Sequence, residues 1–384
     1  MEKKAPAFTE AQAQALAEEF YGLETRVSSL PSYIDQNFRI EDVQTGVCYV
    51  LKFGHSAEEE HSLDFQHQAM LHLGRSGIPC PQPIKTKHGK RITAVRGSDG
   101  LSYFMHALSW LPGVFLAEVD PHTPELIHDM GRFMGGVAKA FQTFSHPAMH
   151  RDLTWDLKHA VRAMKHIAHI PDPHQQELVK HFFGRYQDHV YPVLAKLRCG
   201  VIHNDGNDYN VLAAKNRITG IIDFGDTCHS ALVCEAAIAC AYVILSKPDP
   251  LGAACQFVAG FHQVFPLTED ELGILFDLIC IRLCVSVAMS AWQASLAPDN
   301  AYLKVTENSA WRLLEQLSHI HPNLAHYAFR NACRLPACPQ AGHITSWLET
   351  NPQVIGPVLQ DHLHRSRKLV FDFGPGGANM QSYE

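Results

Sequence analysis

The sequence predicts an α+β fold of two lobes, a small antiparallel-sheet lobe followed by a larger, mostly helical one. Three observations lead there. At 384 residues the chain exceeds one average core. Strand-like alternation, as in VCYVLKF at 47–53, is confined to its first third, and from residue 123 on the apolar spacing is helical. One polar stretch, VIHNDGNDYN at 201–210 followed by GIIDFGD at 220–226, interrupts the helical part.

The elements follow in order. Residues 8–21 form a helix with Thr9 at its N-cap. Val27–Leu30, the turn Pro31–Gln36, Asn37–Glu41 and Val47–Phe53 make a twisted antiparallel sheet. A helix over 58–74 ends at Gly74 or Gly77. Ile78–Pro83 is a proline-rich connection, and Arg91–Val95 with Tyr103–Leu108 is a hairpin around Gly97-Ser98-Asp99-Gly100. The lobes join at His106–Trp110, before Leu111-Pro112-Gly113 breaks the chain. Helices are predicted over 124–145, 154–168, 173–197, 231–246, 250–264, 269–295 and 302–319. The resulting division is 1–106 for a nucleotide-binding lobe, 107–330 for a helical catalytic lobe, and 331–384 for an extension or linker with Pro336, Pro339, Pro352 and a GPGGAN end.

The stretch from 201 to 226 carries the chemistry. His203, Asp205 and Asn210 stand in the order His-x-Asp-x-x-x-x-Asn, and Asp223-Phe224-Gly225 follows a strand at Ile218–Ile222. Phosphoryl transfer needs one carboxylate beside the attacking hydroxyl, and an amide oxygen and a second carboxylate to hold a metal against nucleotide phosphates. Asp205, Asn210 and Asp223 fill those roles. The chain supplies a control: Asp372-Phe373-Gly374 repeats the tripeptide without the accompanying loop and reads as a strand end or tail. Lys52, inside a strand where an ammonium is costly without an anion, is the candidate for the phosphates. Asp64 and Gln66, on the helix after it, are the candidate partners of Lys52. The turn at 31–36 lacks glycine and offers the Ser32 hydroxyl and backbone N–H groups instead. The backbone at the join, including Ala107 and Leu108, is where a purine ring would dock.

Composition excludes several classes. The chain is 46% hydrophobic and 18% charged with a net charge of -7 and no long basic run, so no nucleic-acid partner is expected. The N-terminal twenty residues read as an acidic amphipathic helix and not a signal peptide, and the apolar run Ala231–Leu245 is broken by Glu235 and falls short of a membrane span. A cytoplasmic protein without membrane contact is expected. Eleven scattered cysteines read as reduced core thiols, and neither Cys333 with Cys338 nor the 25 histidines show a metal-ligand spacing. Only about five residues separate Asp226 from the next helix, leaving no activation segment to seat a peptide, so a small-molecule acceptor is expected.

These residues resemble the aminoglycoside phosphotransferase and choline kinase superfamily, and within it the hydroxylysine kinase branch. The likeness covers about residues 20–320 and runs through LPSYIDQNF (30–38), YVLKF (49–53), LDFQ (63–66), WLPG (110–113), HRDLTWDL (150–157) and the two catalytic stretches. It implies a two-lobed protein-kinase-like fold, magnesium, and ATP or GTP as donor. It also implies Asp205 as the acid-base residue, Asn210 and Asp223 as metal ligands, and Lys52 on the phosphates. Two positions depart from the pattern: Asp64 or Gln66 stands for a glutamate, and Asn204 stands for a glycine. The tail resembles the segment that follows this module in bacterial fusions with class III aminotransferases.

An amino alcohol or hydroxy amino acid carries an ammonium, for which Asp208, Asp226 and Glu235 are candidates. Glu235 interrupts an apolar helix, so it either meets that ammonium or pairs with an arginine such as Arg282. Arg282 and Arg151 are candidates for an α-carboxylate, which a guanidinium grips with two parallel hydrogen bonds, and Trp155 for a pocket wall. The alternatives are a homoserine or choline/ethanolamine-type kinase of the same fold, and a silent kinase-like binding module.

Overall fold

The structure, a computed structural model, describes residues 4–32, 34–296 and 307–351. The repeated Asp372-Phe373-Gly374, the GPGGAN end, Pro352, Tyr33 and the first residues of the helix expected at 302–319 lie outside the described residues.

Helix α1 (Glu10–Tyr21) starts at a capping box, with Gln12 N donating to Thr9 Oγ1 (3.2 Å) and Thr9 N to Gln12 Oε1 (2.8 Å). Strands β1 (Thr25–Leu30), β2 (Gln36–Asp42) and β3 (Cys48–Phe53) follow, then α2 (Glu60–Arg75), β4 (Pro83–Ile84), β5 (Thr93–Arg96) and β6 (Ser102–Ser109). They form one antiparallel sheet in the order β1-β2-β3-β6-β4, with β5 also on β6. Phe38, Ile40, Leu51, Phe53 and Ala107 turn one face of it toward Ala13 and Ala17 of α1. The register sets Asn37, Lys52 and His106 in a row on the other face, where α2 sends His67 to His106.

The join between lobes differs from the expectation. Strand β6 continues to Ser109, with Ala107 and Leu108 between Leu51 and Val50 of β3 and Ile84 and Pro83 of β4. Ala107 and Leu108 are therefore inside the sheet, and the backbone is free of it only beyond Trp110, whose N–H still donates to Cys48 O (3.2 Å).

The helical lobe begins with β7 (Val114–Phe115) and α3 (Pro124–Phe141). The segment expected as an α-helix at 154–168 is a 3-10 run, Leu157–His169. Its buried Leu157, Ala160, Ala163 and His166 recur every third residue, the period of that helix. The helix expected at 173–197 is α4 (Pro173–Arg185), a π turn (Tyr186–Val190) and α5 (Tyr191–Leu194); Pro192 has no N–H to continue the α ladder. Strands β8 (Cys199–Ile202), β9 (Val211–Ala214), β10 (Arg217–Ile221) and β11 (Cys228–Ala231) build two small sheets, β10-β9-β7 and β11-β8.

Then come α6 (Val233–Val243), α7 (Pro250–Val264), α8 (Glu269–Leu296), α9 (Glu307–Ser318), α10 (Pro322–Ala332) and α11 (Ala341–Thr350). Helix α10 packs on α7 and α8 and runs across residue 331, where the extension was expected to begin. Helices α3 and α7 touch backbone to backbone. A Cβ on Gly131 would lie 2.0 Å from Phe257 O, and one on Gly260 2.1 Å from His128 O. Helix α8 is long and apolar enough to cross a membrane, but 89% of its apolar window is buried, and it serves as the central strut of the lobe.

Candidate active site

The loop after β8 carries His203 to Asn210. His203 is wholly buried; its Nδ1 accepts from Asp205 N (3.3 Å), which leaves Nε2–H to donate to Ile222 O (3.1 Å) at the end of β10. Phe224 meets the same ring edge-on at 4.8 Å. Asn204 has φ 68°, the left-handed region that asparagine tolerates better than most residues, which accounts for asparagine in place of glycine there. Asn207 Oδ1 accepts from Tyr209 N (2.8 Å) and Asn210 N (3.0 Å), folding the loop back on itself. Asn210 Nδ2 then donates to Asp205 Oδ2 (2.6 Å) and Asp205 O (3.0 Å), while Ile222 N donates to Asn210 O (2.8 Å). The two motifs are thus stitched together. Asp223 follows with φ 60°, its Oδ1 accepting from Gly225 N (3.2 Å) and its side chain exposed to the cleft. The Lys52 ammonium holds the Asp223 carboxyl below its ordinary value, so Lys52 and Asp223 face the same space from opposite lobes.

The predicted residues divide into three groups. Asp205, Asn210, Asp223, Asp226 and Lys52 converge. Asp226 is held near Asp205; burial first, then the Asp205 charge, push its carboxyl up to about 7, while Arg282 and Arg151 oppose that rise. Asp208 has a buried Oδ1 without a partner, and burial pushes it up to about 6. Arg151 donates through Nη1 to Gly225 O and to Thr227 O (3.2 Å), gripping the backbone around Asp226. Trp155 sits beside Arg282, and Ser32 is exposed in the β1–β2 turn. That turn is anchored without glycine: Asp35 Oδ1 accepts from His55 N (3.1 Å), and the Gln36 amide pairs with both backbone groups of Phe8 at 2.8 Å.

Three expectations are corrected. Asp64 turns to His146 Nε2 (3.1 Å) and Gln68 Nε2 (3.2 Å); among the described residues no carboxylate is in ion-pair contact with Lys52. Gln66 is buried in α2, and His106, opposite Lys52 in the sheet, belongs to a histidine pair, His67 Nε2 to His106 Nδ1 at 2.9 Å. Burial pushes His67 down to about 4 and His106 well below its ordinary value, so the pair is neutral. Glu235 bonds the catalytic loop, and Arg282 bonds other groups. Glu235 is fully buried, and its Oε2 accepts from His203 N at 2.6 Å while its Oε1 has no partner among the described residues, so that α6 holds the catalytic loop by its backbone. Arg282, expected as a substrate clamp, donates through Nη2 to Asp205 Oδ1 (3.0 Å), through Nη1 to Trp155 O (3.2 Å) and through Nε to Tyr242 Oη (3.2 Å).

Tyr242 and the two histidines escaped the sequence reading. Tyr242 had a signal: it lies seven residues after Glu235, two turns along the same stripe of α6. The donor set of Asp223 and Asn210, hard oxygens with the Asp223 carboxylate open to the cleft, fits a divalent cation such as magnesium.

The chain is similar to known proteins over most of its length. Residues 26–269 match the model of the phosphotransferase enzyme family. Hydroxylysine kinase from Mus musculus is 32% identical over 338 residues, covering 81% of this chain and 90% of that protein. A homoserine kinase from Methylobacillus flagellatus is 28% identical over 221 residues, 56% of this chain and 63% of that protein. The solved structure of an amicoumacin kinase in complex with AMP-PNP and Ca2+ superposes with a TM-score of 0.63 at 17% identity, over 80% of this chain and 94% of that one.

Proposed function

The chain belongs to the phosphotransferase enzyme family and is a small-molecule kinase acting on a hydroxyl group, and from that premise we propose that its acceptor is 5-hydroxylysine or a similar hydroxy amino acid. The observation that carries the reading is Asp205, a half-buried carboxylate fixed through both oxygens by Arg282 and Asn210 on the floor of the cleft that Asp223 and Lys52 line. In this reading Asp205 orients the acceptor hydroxyl and receives its proton as the oxygen bonds to the γ-phosphorus and the nucleoside diphosphate leaves. Asn210 and Asp223 hold magnesium, which neutralises charge on the phosphates. Lys52 meets the phosphates from the sheet, and the base of ATP or GTP docks on the backbone beyond Ser109.

The acceptor's chemistry follows from the charges around Asp205. Asp226 is a buried carboxyl pushed up to about 7 by burial and by Asp205, and an acceptor ammonium relieves both costs. Arg151 supports a carboxylate site, since its two backbone contacts run through a single nitrogen. Homoserine carries the same three groups and is the second reading, supported by the likeness to a homoserine kinase. Nucleotide turnover with 5-hydroxylysine, homoserine, ethanolamine and choline, each with ATP and with GTP, tests this. The expected order of kcat/KM is hydroxylysine first, homoserine next and choline last; equal rates for choline and hydroxylysine would remove the case for a carboxylate site.

A further inference from the structure

We propose that Arg282 is a positioning residue that locks the catalytic carboxylate and the acceptor wall in one register, and that it is not part of the acceptor's binding site. The inference rests on the reading of Asp205 as the group that meets the acceptor hydroxyl. All three guanidinium nitrogens are engaged, one each on Asp205 Oδ1, the Trp155 carbonyl and the Tyr242 hydroxyl. Two aromatic rings also crowd the group, with the Trp155 ring centroid at 5.0 Å and the Tyr242 ring at 5.4 Å. Arg282 is 2% exposed. A guanidinium that grips a substrate carboxylate must turn two parallel N–H groups to it at an open edge; one N–H on each Nη of Arg282 makes none of these three bonds, but the side chain is closed to solvent.

What the arrangement achieves is mechanical alignment. Helix α8 is the buried strut of the helical lobe, so Arg282 projects from the least mobile element near the site. Its flat, rigid group reaches three acceptors on three separate segments: the catalytic loop, the segment before the 3-10 run, and α6. A lysine at this position has one nitrogen on a flexible stem and cannot span them. Burying the guanidinium is offset by the Asp205 charge and by the two aromatic faces. Reaction of a hydroxyl held against the Trp155 wall requires the Asp205 oxygen within hydrogen-bond reach, and a displacement of about 1 Å is enough to cost about 10²-fold in rate. Arg282 fixes that distance by holding the wall's backbone and the carboxylate at once.

The test compares Arg282→Gln and Arg282→Lys with the parent, using hydroxylysine and its analogue lacking the α-carboxylate as acceptors. The expected result is a fall in kcat of about 10²-fold with both acceptors, by similar factors, with each KM within about threefold of the parent. In an Asp205→Asn background, read by single-turnover kinetics, Arg282→Gln should cost much less, because the carboxylate it aligns with the wall is already gone. A loss confined to the carboxylate-bearing acceptor and expressed in its KM would make Arg282 a clamp and overturn the proposal. An undiminished loss in the Asp205→Asn background would overturn it too. Should Arg282→Gln fail to fold, Tyr242→Phe removes one of the three tethers and should give a smaller fall in kcat with both acceptors, reduced in the same background. If Asp205→Asn alone turns over like the parent, the reading of Asp205 fails, and that result is obtained before Arg282 is changed.

Discussion

The two walls of the cleft are held by different physics. On the helical side Asp205 and the backbone around it are fixed by charged or charge-assisted contacts: Arg282 and Asn210 on Asp205, Glu235 on the backbone of His203, Arg151 on the carbonyls around Asp226. On the sheet side Lys52 stands beside a neutral, buried histidine pair, and the glycine-free turn is tied by Asp35 and Gln36 to backbone groups. Charged contacts fix a geometry before ligands arrive. Neutral support leaves the full charge of Lys52, and its freedom to move, for the nucleotide. The acceptor site is therefore expected to be preformed, and the phosphate site to be completed by the donor.

Substitutions can break or sharpen that contrast. Asp205→Asn should have the largest effect, a fall in turnover of about 10²–10⁴ with nucleotide affinity near the parent's. Weakened nucleotide binding would show that the floor and the phosphate site are not separate. Asp223→Ala should lower affinity for metal-bound nucleotide by about tenfold or more and leave metal-free nucleotide nearly unaffected, as titrations with and without magnesium will read. Glu235→Ala leaves the His203 N–H orphaned and should cost about 2–4 kcal/mol of stability in denaturant melts.

The charge on Glu235 adds a pH signature. Its folded value of about 7 lies above the ordinary 4.5 because of burial, so the folded protein holds the extra proton between them. Stability should fall as pH rises from about 4.5 to about 7 and then level, and Glu235→Gln should flatten that decline. Asp226, also raised to about 7, contributes with the same sign, so a residual slope in Glu235→Gln is expected. The smallest effect belongs to the neutral wall: His67→Ala should raise the nucleotide KM by about fivefold, the worth of one modest hydrogen bond, and leave kcat close to the parent's. A collapse of kcat in His67→Ala would show that the two walls are equally preformed.

What was legible in the sequence divides along the same line. Asp205 and Asn210 share one loop, and Asp223 follows a strand paired to the one that begins after Asn210, so local backbone brings them together and spacing revealed them. The strand expected at 47–53 is Cys48–Phe53, and Thr9 caps α1 as its pattern required. Arg282 was expected on an acceptor carboxylate or on Glu235, and it bonds Asp205 instead. Its bond to Asp205 spans 77 positions and depends on where α8 crosses the catalytic loop, which no local pattern encodes. Glu235 could not be assigned because its partner is a backbone N–H, and a backbone group leaves no mark in a sequence. The His67–His106 pair, 39 positions apart, depends on the docking of α2 against β6 in the same way.

The glycine contact between α3 and α7 has a consequence for how the molecule can flex. With Gly131 and Gly260 each admitting the other helix's carbonyl, the two helices touch without an intervening layer of side chains and behave as one beam. Compliance between side chains, which lets most helix pairs slide, is missing there. Any bending between the lobes is then expected in the short Trp110–Pro112 connection and not within this helix pair. An alanine at Gly131 or Gly260 would wedge that beam open, so its damage would be read as a softened lobe, far from the chemistry, before any catalytic group is disturbed.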